Sequence, residues 1–217
     1  MGAARMDVRY QAFLHAFPPA QRVTADAGKM AAFTEQALGA ALPEELAAVL
    51  RQVGGGYFGS NDLYVFGDGD GPAPRDSFQD WNRKDFWPDI FPCPAEGGPV
   101  FFAETCFGDQ LGYRYDGNSV LYVLFAIDTF EAFVIAHSAQ ELFEQVLTDR
   151  FALVDARRLL ALESRQGPLR QGMHYAPLSS PLLGGGGTAD NFFQETPNVH
   201  FRTALAALHA VRAASGG

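Results

Sequence analysis

The stretch from residue 98 to residue 147 decides the fold of this chain, and it reads GPVFFAETCFGDQLGYRYDGNSVLYVLFAIDTFEAFVIAHSAQELFEQVL. Apolar runs alternate in it with turn signals at Gly108-Asp109 and at Asp116-Gly117-Asn118. An Asp-Gly pair between alternating aromatic residues is a strong indication of a tight hairpin. The stretch therefore predicts four consecutive strands, followed by a helix.

The start of that helix is marked by a capping box. Ser138 is followed three positions later by Glu141, so the hydroxyl of Ser138 is expected to accept the backbone N–H of Glu141. Leu142, Phe143, Val146 and Leu147 then recur at helical spacing. The helical pattern continues towards Arg165, with a candidate break around Thr148-Asp149.

Helices are also predicted on either side of this stretch. We expect the first after Asp7, the second near Thr24 to Asp26, and the third between Pro43 and Gly54. A strand is expected at residues 63–66, and a last helix after Thr196-Pro197. The sequence thus predicts an α+β protein with a twisted, mainly antiparallel sheet flanked by helices. Residues 1–150 are expected to form this domain, and residues 151–217 a helical or irregular extension packed on it.

Composition indicates a folded protein of the cytoplasm. The 217 residues are 47% hydrophobic and 13% aromatic, as in a globular core. No run of about 18 apolar residues is present, so no membrane span is expected, and the first residues do not resemble a secretory signal. Cys93 and Cys106 are too few for a disulfide scaffold, so two reduced thiols are expected; a disulfide is the alternative in an oxidising compartment.

Negative charge is concentrated in the middle of the chain. Residues 61–149 hold 16 acidic and 4 basic side chains, whereas the two flanking segments together hold 9 acidic and 12 basic ones. This argues against nucleic-acid binding by the middle segment, because such binding depends on neutralising phosphates. An acidic field attracts a basic partner instead. The alternative is that the charge only keeps the protein soluble.

The motifs of catalysis and cofactor binding are missing or out of context. Residues 54–59 match a dinucleotide fingerprint, but they follow a helix and not a strand. Residues 68–71 begin like a calcium loop, but Pro72 occupies the third ligand position. The five histidines are scattered, so no metal site, cofactor or catalytic residue is predicted. A Cys106–His137 nucleophile pair and a paired-carboxylate hydrolase are the alternative interpretations.

Two segments of the chain resemble the SUKH superfamily. The first is Leu42-Pro43-Glu44-Glu45-Leu46 together with Val53-Gly54-Gly55-Gly56, which is similar to the opening helix of that family, with Gly54 in place of its asparagine. The second runs from Phe101 through Gly108-Asp109 to Ala136-His137-Ser138 and is similar to its core sheet and closing helix. The resemblance covers roughly residues 28–150.

The last part of the chain resembles the C-terminal domain of immunity proteins that act against type VI secretion DNase toxins. Gly167-Pro168-Leu169, Tyr175, Leu182-Leu183-Gly184-Gly185 and Asp190-Asn191 carry this resemblance, with Ala176 where a glycine is usual. Both resemblances imply a bacterial immunity protein that binds and neutralises a cognate toxin, expected to be a basic nuclease. A stoichiometric inhibitor needs no catalytic machinery. The alternatives are a regulatory or scaffolding module of the same fold family, or a small-molecule enzyme or binding protein.

The predicted contact residues are acidic and aromatic residues of the middle segment. They are Asp68, Asp70, Asp76, Asp80, Asp85, Trp87, Asp89, Glu104, Asp109 and Asp116. Neither the oligomeric state nor the identity of the toxin follows from the sequence.

Overall fold

The computed structural model describes residues 10–69 and 75–215 of the chain. Its main sheet has seven strands, and they follow one another in chain order, each antiparallel to the next. The strands are β1 (Pro19–Val23), β2 (Gly55–Phe58), β3 (Leu63–Val65), β4 (Val100–Thr105), β5 (Gln110–Asp116), β6 (Ser119–Ala126) and β7 (Glu131–Ala136). The predicted α+β class with an antiparallel sheet is confirmed.

Helices precede, interrupt and follow the sheet. They are α1 (Gln11–Ala16), α2 (Ala27–Phe33), α3 (Glu44–Val53), α4 (Phe78–Asn82), α5 (Ala139–Glu141), α6 (Ala156–Gln166) and α7 (Pro197–Ser215). Residues 34–38 and 142–146 continue α2 and α5 as π-helical turns, and 3₁₀ turns lie at residues 87–89, 94–96, 181–183 and 189–191. The helix that begins after Ser138 ends at Val146, close to the candidate break at Thr148-Asp149, and the separate helix α6 is capped by Asp155. No helix among the described residues combines the length and the apolar character that a membrane crossing needs.

Two strands differ from the sequence prediction. β1 was not predicted, and the glycine-rich stretch after α3 was expected to be a turn but forms β2. Gly56 has a φ of 118°, and a Cβ on it would lie 2.0 Å from the backbone oxygen of Gln21 in β1. The glycines therefore let β1 and β2 approach closely, which gives this glycine-rich stretch a structural reason.

Each face of the sheet is covered by a different part of the chain. On one face, Phe13 of α1 contacts Phe58 of β2 and Phe143 beyond α5, at ring-centroid distances of 5.5 and 5.0 Å. On the other face, Trp87 lies 4.5 Å from Phe101 of β4. Phe201 of α7 also packs on this second face, 5.1 Å from Trp87.

The chain after residue 150 contains a hairpin as well as helices. β8 (His174–Pro177) pairs with β9 (Phe192–Glu195) in a second, two-stranded sheet. The N–H of Tyr175 donates to the carbonyl of Cys106, 2.8 Å away, and both residues belong to a small apolar cluster beside the main core. This hairpin brings His174 to the turn that joins β4 and β5, beside the polar residues described next.

Candidate functional site

A row of polar side chains crosses one face of the sheet. The strand register aligns Tyr57 of β2 with Tyr64 of β3, Tyr64 with Glu104 of β4, and Glu104 with Gln110 of β5. Directly opposed residues of antiparallel strands project to the same face. The four side chains therefore meet on the face that α4 and α7 cover.

Glu104 is the centre of this row, and it is fully buried. Its Oε1 forms an ion pair with Nη1 of Arg75, and its Oε2 accepts a hydrogen bond from Nε2 of Gln110 at 3.0 Å. Arg75 also donates from Nε to the hydroxyl of Tyr57 at 3.0 Å, and its guanidinium lies 4.7 Å from the centre of the Tyr64 ring. The buried carboxylate is thus neutralised by a buried guanidinium that has partners of its own, as a charge inside a protein must be.

Two buried histidines extend the cluster. Nε2 of His174 lies 3.3 Å from Oε1 of Glu104, and Nδ1 of His174 lies 3.3 Å from Nδ1 of His200 in α7. Burial, the charge of Arg75 and the neighbouring His200 lower the pKa of His174 well below 6.5, so its ring is neutral. Gly108 makes room for the pair, because a Cβ there would lie 2.7 Å from Nδ1 of His174.

The cluster ends at a pair of aspartates near the β6–β7 turn. Oδ1 of Asp128 lies 3.9 Å from Nε2 of His200, and Asp109 accepts the N–H of Ile127 at 3.1 Å. Burial, together with the like charge of Asp128, raises the pKa of Asp109 to about 7. Asp109 is therefore partly protonated near neutral pH.

Three of the predicted contact residues are buried or nearly so, which leaves their side chains little surface to offer a partner. Glu104 belongs to the ion pair, and Trp87 is packed against Phe101 and Phe201. Asp68 has a side chain only 2% exposed, and it pairs with Lys29 at 3.2 Å. Asp109, partly buried, points its carboxylate at the backbone of Ile127. Strand alternation turns Glu104 inward, and hydrogen bonds to the backbone hold Asp68 and Asp109. A count of acidic residues does not show which of them are buried.

The structure brings a second group of predicted residues together on the segment of α4 and the following 3₁₀ turn. Asp80, Asp85 and Asp89 are exposed there. The carboxylate of Asp80 accepts a hydrogen bond from the hydroxyl of Ser77. Asp85 forms an ion pair with Arg202 at 3.1 Å, and the carboxylate of Asp89 lies 4.0 Å from the ring of His209. We call Asp80, Asp85 and Asp89 the acidic strip. Two of its members are opposed by basic residues of α7, so its field is weaker than the sequence suggests.

The remaining predicted residues lie apart from the strip or outside the described part of the chain. Asp76 is partly buried; it forms an ion pair with Lys84 at 2.8 Å and accepts a hydrogen bond from the side chain of Asn198 at 3.0 Å. Asp116 is exposed at the tip of the β5–β6 hairpin. Asp70 lies outside the described residues.

Arg75, His174 and His200 were not predicted as members of a site. They lie 99 and 26 residues apart along the chain, so no local spacing connects them. The one signal in the sequence is that Glu104 and Gln110 flank a turn at Gly108 on adjacent strands. The alternative Cys106–His137 pair is not formed: burial raises the pKa of the Cys106 thiol well above its usual value, and His137 is exposed at the start of α5.

The cluster has groups that can hold and relay protons, but its centre is closed to solvent. Glu104 and His174 are completely buried, and His200 and Asp128 are the members that border a small cavity. Among the described residues, no group of three or more His, Cys, Asp or Glu side chains is placed to hold a metal ion. The centre of the cluster connects β4, β5, α7 and the β8–β9 hairpin.

Comparison with solved structures identifies the same fold elsewhere. The crystal structure of Atu4351 from Agrobacterium tumefaciens is similar to this chain with a TM-score of 0.62. The two sequences are 14% identical, and the match covers 90% of this chain and 87% of that one. No protein-family model matches the chain, and no curated protein is similar to it in sequence at a significant level. The similarity to Atu4351 therefore shows a shared α+β architecture over most of both chains.

Proposed function

We propose that this protein is a bacterial immunity protein that binds a cognate toxin in the cytoplasm and neutralises it by stoichiometric inhibition. The support from the sequence is the resemblance of residues 28–150 to the SUKH superfamily and of the C-terminal segment to immunity proteins against DNase toxins. The expected partner is a basic, nuclease-type protein, and neither nucleic acid nor a membrane is expected to bind. The chain is proposed to act without catalysis or cofactor.

The observation that carries the proposal is the acidic strip. Asp85 has a side chain 73% exposed, and its ion pair with Arg202 is at the surface. Such exposed pairs contribute about 0–1 kcal/mol, so a basic partner can displace Arg202 at little cost. A nuclease presents cationic side chains to phosphates, and a row of carboxylates can occupy them instead.

Buried aromatic residues also fix the backbone that carries the strip, which favours binding to a partner. Trp81, Phe86 and Trp87 lie between its members in sequence and are buried against Phe201. Ordering few side chains on association lowers the entropic cost of forming a complex. The three carboxylates are therefore proposed to meet the toxin from a preformed surface.

Co-expression with the product of the adjacent gene tests this function. We expect the two proteins to co-purify at equal stoichiometry, and growth arrested by the neighbouring protein to be rescued. Co-purification without any toxicity of the neighbour would favour a regulatory or scaffolding module. Rescue by turnover of a small molecule, without a complex, would contradict the proposal.

A further inference from the structure

An apolar cavity of about 330 Å³ lies between the π-helical turn that follows α2 and the chain after α4. Its aromatic lining comes from Trp87, Phe91 and Phe101. None of the residues of the buried cluster or of the acidic strip lines it. Small-molecule sites in proteins have volumes of about 300–1,000 Å³ and mainly apolar linings, so the cavity has the size and the character of such a site.

The walls of this cavity are rigid. The N–H of Gly98 donates a hydrogen bond to the carbonyl of Cys93 at 3.1 Å, which closes the wall at Cys93. The indole N–H of Trp87 donates to the carbonyl of Trp81 at 2.8 Å. Four prolines, whose rings fix φ, complete the lining: Pro88, Pro92, Pro94 and Pro99. A ligand therefore meets a preformed surface, which lowers the entropic cost of binding.

The charged side chains that line the cavity are cationic. They are Arg83 and Lys84, and none of the described Asp or Glu residues lines it. Lys84 is neutralised by an ion pair with Asp76 at 2.8 Å. Arg83 is exposed, its guanidinium lies 4.7 Å from the centre of the Phe33 ring, and it forms no ion pair within the described part of the chain. The cavity thus has a cation without a counter-charge at its mouth.

A second, adjoining cavity repeats this charge pattern. It has a volume of about 190 Å³, shares Phe91, Pro92 and Pro99 with the first, and has Arg114 of β5 as its charged lining residue. The side chain of Arg114 is half-buried and forms neither a hydrogen bond nor an ion pair with any residue that the structure describes. Three of the four basic residues in the acidic segment 61–149 therefore line these two cavities. Cations collected beside apolar surface favour an anionic ligand with an apolar body.

The acidic strip does not cancel this preference, because α7 engages two of its carboxylates. Asp85 forms an ion pair with Arg202 of that helix, and Asp89 lies 4.0 Å from His209. The strip and the cavity are therefore separate features of one segment of the chain.

We propose that this cavity binds a small organic carboxylate, whose apolar body covers Trp87 and Phe101 and whose carboxylate pairs with Arg83. A guanidinium is a planar fork of donors that matches the two oxygens of a carboxylate. We call this site the carboxylate pocket. It does not depend on the proposed function, and it would give the chain a small-molecule ligand in addition to a protein partner.

The pocket is tested with three ligands that share one body and differ in the end group: 4-phenylbutyrate, 4-phenyl-1-butanol and 4-phenylbutylammonium. Amide chemical shifts of the full chain are followed by NMR during titration. We expect saturable shifts at residues 82–94 with phenylbutyrate and a dissociation constant on the order of 1 mM, as a ligand of this size allows. The alcohol should bind about fivefold more weakly, and the ammonium more weakly still.

The two cysteines of the chain give an independent measurement. Cys93 is exposed and lines the cavity, whereas Cys106 is buried and does not line it. Iodoacetamide, which is uncharged, should alkylate Cys93 and spare Cys106. Phenylbutyrate should slow the alkylation of Cys93 in proportion to the occupied fraction of the pocket, as measured by mass spectrometry of the alkylated peptides.

A charge-removing variant tests the role of Arg83. Arg83→Gln should weaken phenylbutyrate binding about fivefold and leave binding of the alcohol unchanged, because it removes the charge and keeps the apolar surface. The matched control is Arg157→Gln, at an exposed position that lines neither cavity, and it should bind like the wild type. Since Arg83 is exposed, the fold should stay intact, which near-identical shifts elsewhere in the chain would verify.

Four results would overturn the carboxylate pocket. Equal affinity for the alcohol would show an apolar cavity without preference for an anion, and tighter binding of the ammonium would show that the acidic strip governs the site. No saturation up to about 20 mM, with no protection of Cys93, would mean that no ligand of this class binds. A preference that is lost in Arg114→Gln and kept in Arg83→Gln would place the carboxylate in the adjoining cavity.

Discussion

Glu104 and Asp80 show how residues of the same charge reach opposite environments. Glu104 is placed by the register of β4 on the covered face of the sheet, opposite Tyr64 and Gln110. Asp80 lies in the first turn of α4, where its carboxylate accepts the hydroxyl of Ser77 and remains exposed. Only the second kind of residue is available to a partner, so at this scale strand register decides which carboxylates can function in binding.

Breaking the buried ion pair should be strongly destabilising. Glu104→Gln leaves the guanidinium of Arg75 buried without a counter-charge, which costs about 3–5 kcal/mol. Urea unfolding measures the loss, and Glu35→Gln, which removes an exposed carboxylate, should change the free energy of unfolding by less than about 0.5 kcal/mol. A loss below about 1 kcal/mol for Glu104→Gln would mean that Arg75 finds another partner or solvent.

Asp109 should make stability fall as the pH rises towards neutral. Its pKa is raised from 3.8 to about 7 in the folded chain, so the folded state binds more protons than the unfolded state between these values. By linkage, its contribution to the free energy of unfolding decreases through this window, by on the order of 2 kcal/mol between about pH 5 and pH 7. Asp109→Asn should lack this decrease.

The measurement is urea unfolding of both chains at the two pH values. His174, whose pKa is lowered, acts in the opposite direction as the pH falls below 6.5, but it is present in both chains and cancels in the difference. Parallel pH dependences in wild type and variant would show that Asp109 titrates at its ordinary pKa.

At the scale of single elements, local sequence signals positioned the helices well. Ser138 accepts the N–H of Glu141 at 3.0 Å, and Glu141 returns by accepting the N–H of His137 at 2.7 Å. The predicted bond between Ser138 and Glu141 is thus present, and the Glu141 carboxylate closes the capping box on the residue before the cap. Helix α7 is different, because its position on the sheet depends on Phe201, which contacts residues more than 100 positions earlier.

Removing that contact should detach α7 from the core. Phe201 is 1% exposed and lies 5.2 Å from Phe86 and 5.1 Å from Trp81, so Phe201→Ala should cost about 3–5 kcal/mol. Val199→Ala in the same helix, at a half-exposed position, should cost less than about 1 kcal/mol. Amide hydrogen exchange would localise the effect: faster exchange in α7 is expected, and an unchanged α7 would contradict its role as anchor.

At the scale of the whole molecule, the charge asymmetry of the sequence is partly cancelled by folding. The middle segment carries the excess of acids, and the basic residues of α7 fold back onto it, as Arg202 does at Asp85. The same folding joins residues from both halves of the chain in the buried cluster around Glu104. The negative charge at the surface is therefore smaller than the count of charges indicates.

Neutralising the strip should slow association with the toxin. Asp80→Asn/Asp85→Asn/Asp89→Asn removes three exposed charges, so the association rate at low salt should fall by about tenfold and depend less on salt. The matched control is Glu35→Gln/Glu96→Gln/Glu131→Gln, which removes three charges from exposed positions outside the strip. Stopped-flow measurement gives the association rates of the two triple variants over a range of ionic strength. Equal reductions in rate would mean that net charge, and not the strip, attracts the toxin.

The class of the fold, the helix boundaries at Ser138 and Pro43, and the antiparallel order of the strands from residue 100 to residue 136 could all be predicted from the sequence. These follow from interactions between residues close along the chain, namely capping, turn chemistry and alternation. The excess of acidic residues in the middle of the chain can also be read from the sequence. β1 was missed because its short, polar stretch becomes a strand only by pairing with the glycines of β2.

Which carboxylates are exposed and which are buried depends on contacts between distant parts of the chain. Glu104 meets Arg75 and His174 through strand register and through a hairpin 70 residues later in the chain. His200 reaches Asp128 because α7 packs on the far end of the same face. No local sequence pattern predicts these contacts, because they form when aromatic residues of distant segments pack against each other. That packing places each buried charge beside its partner.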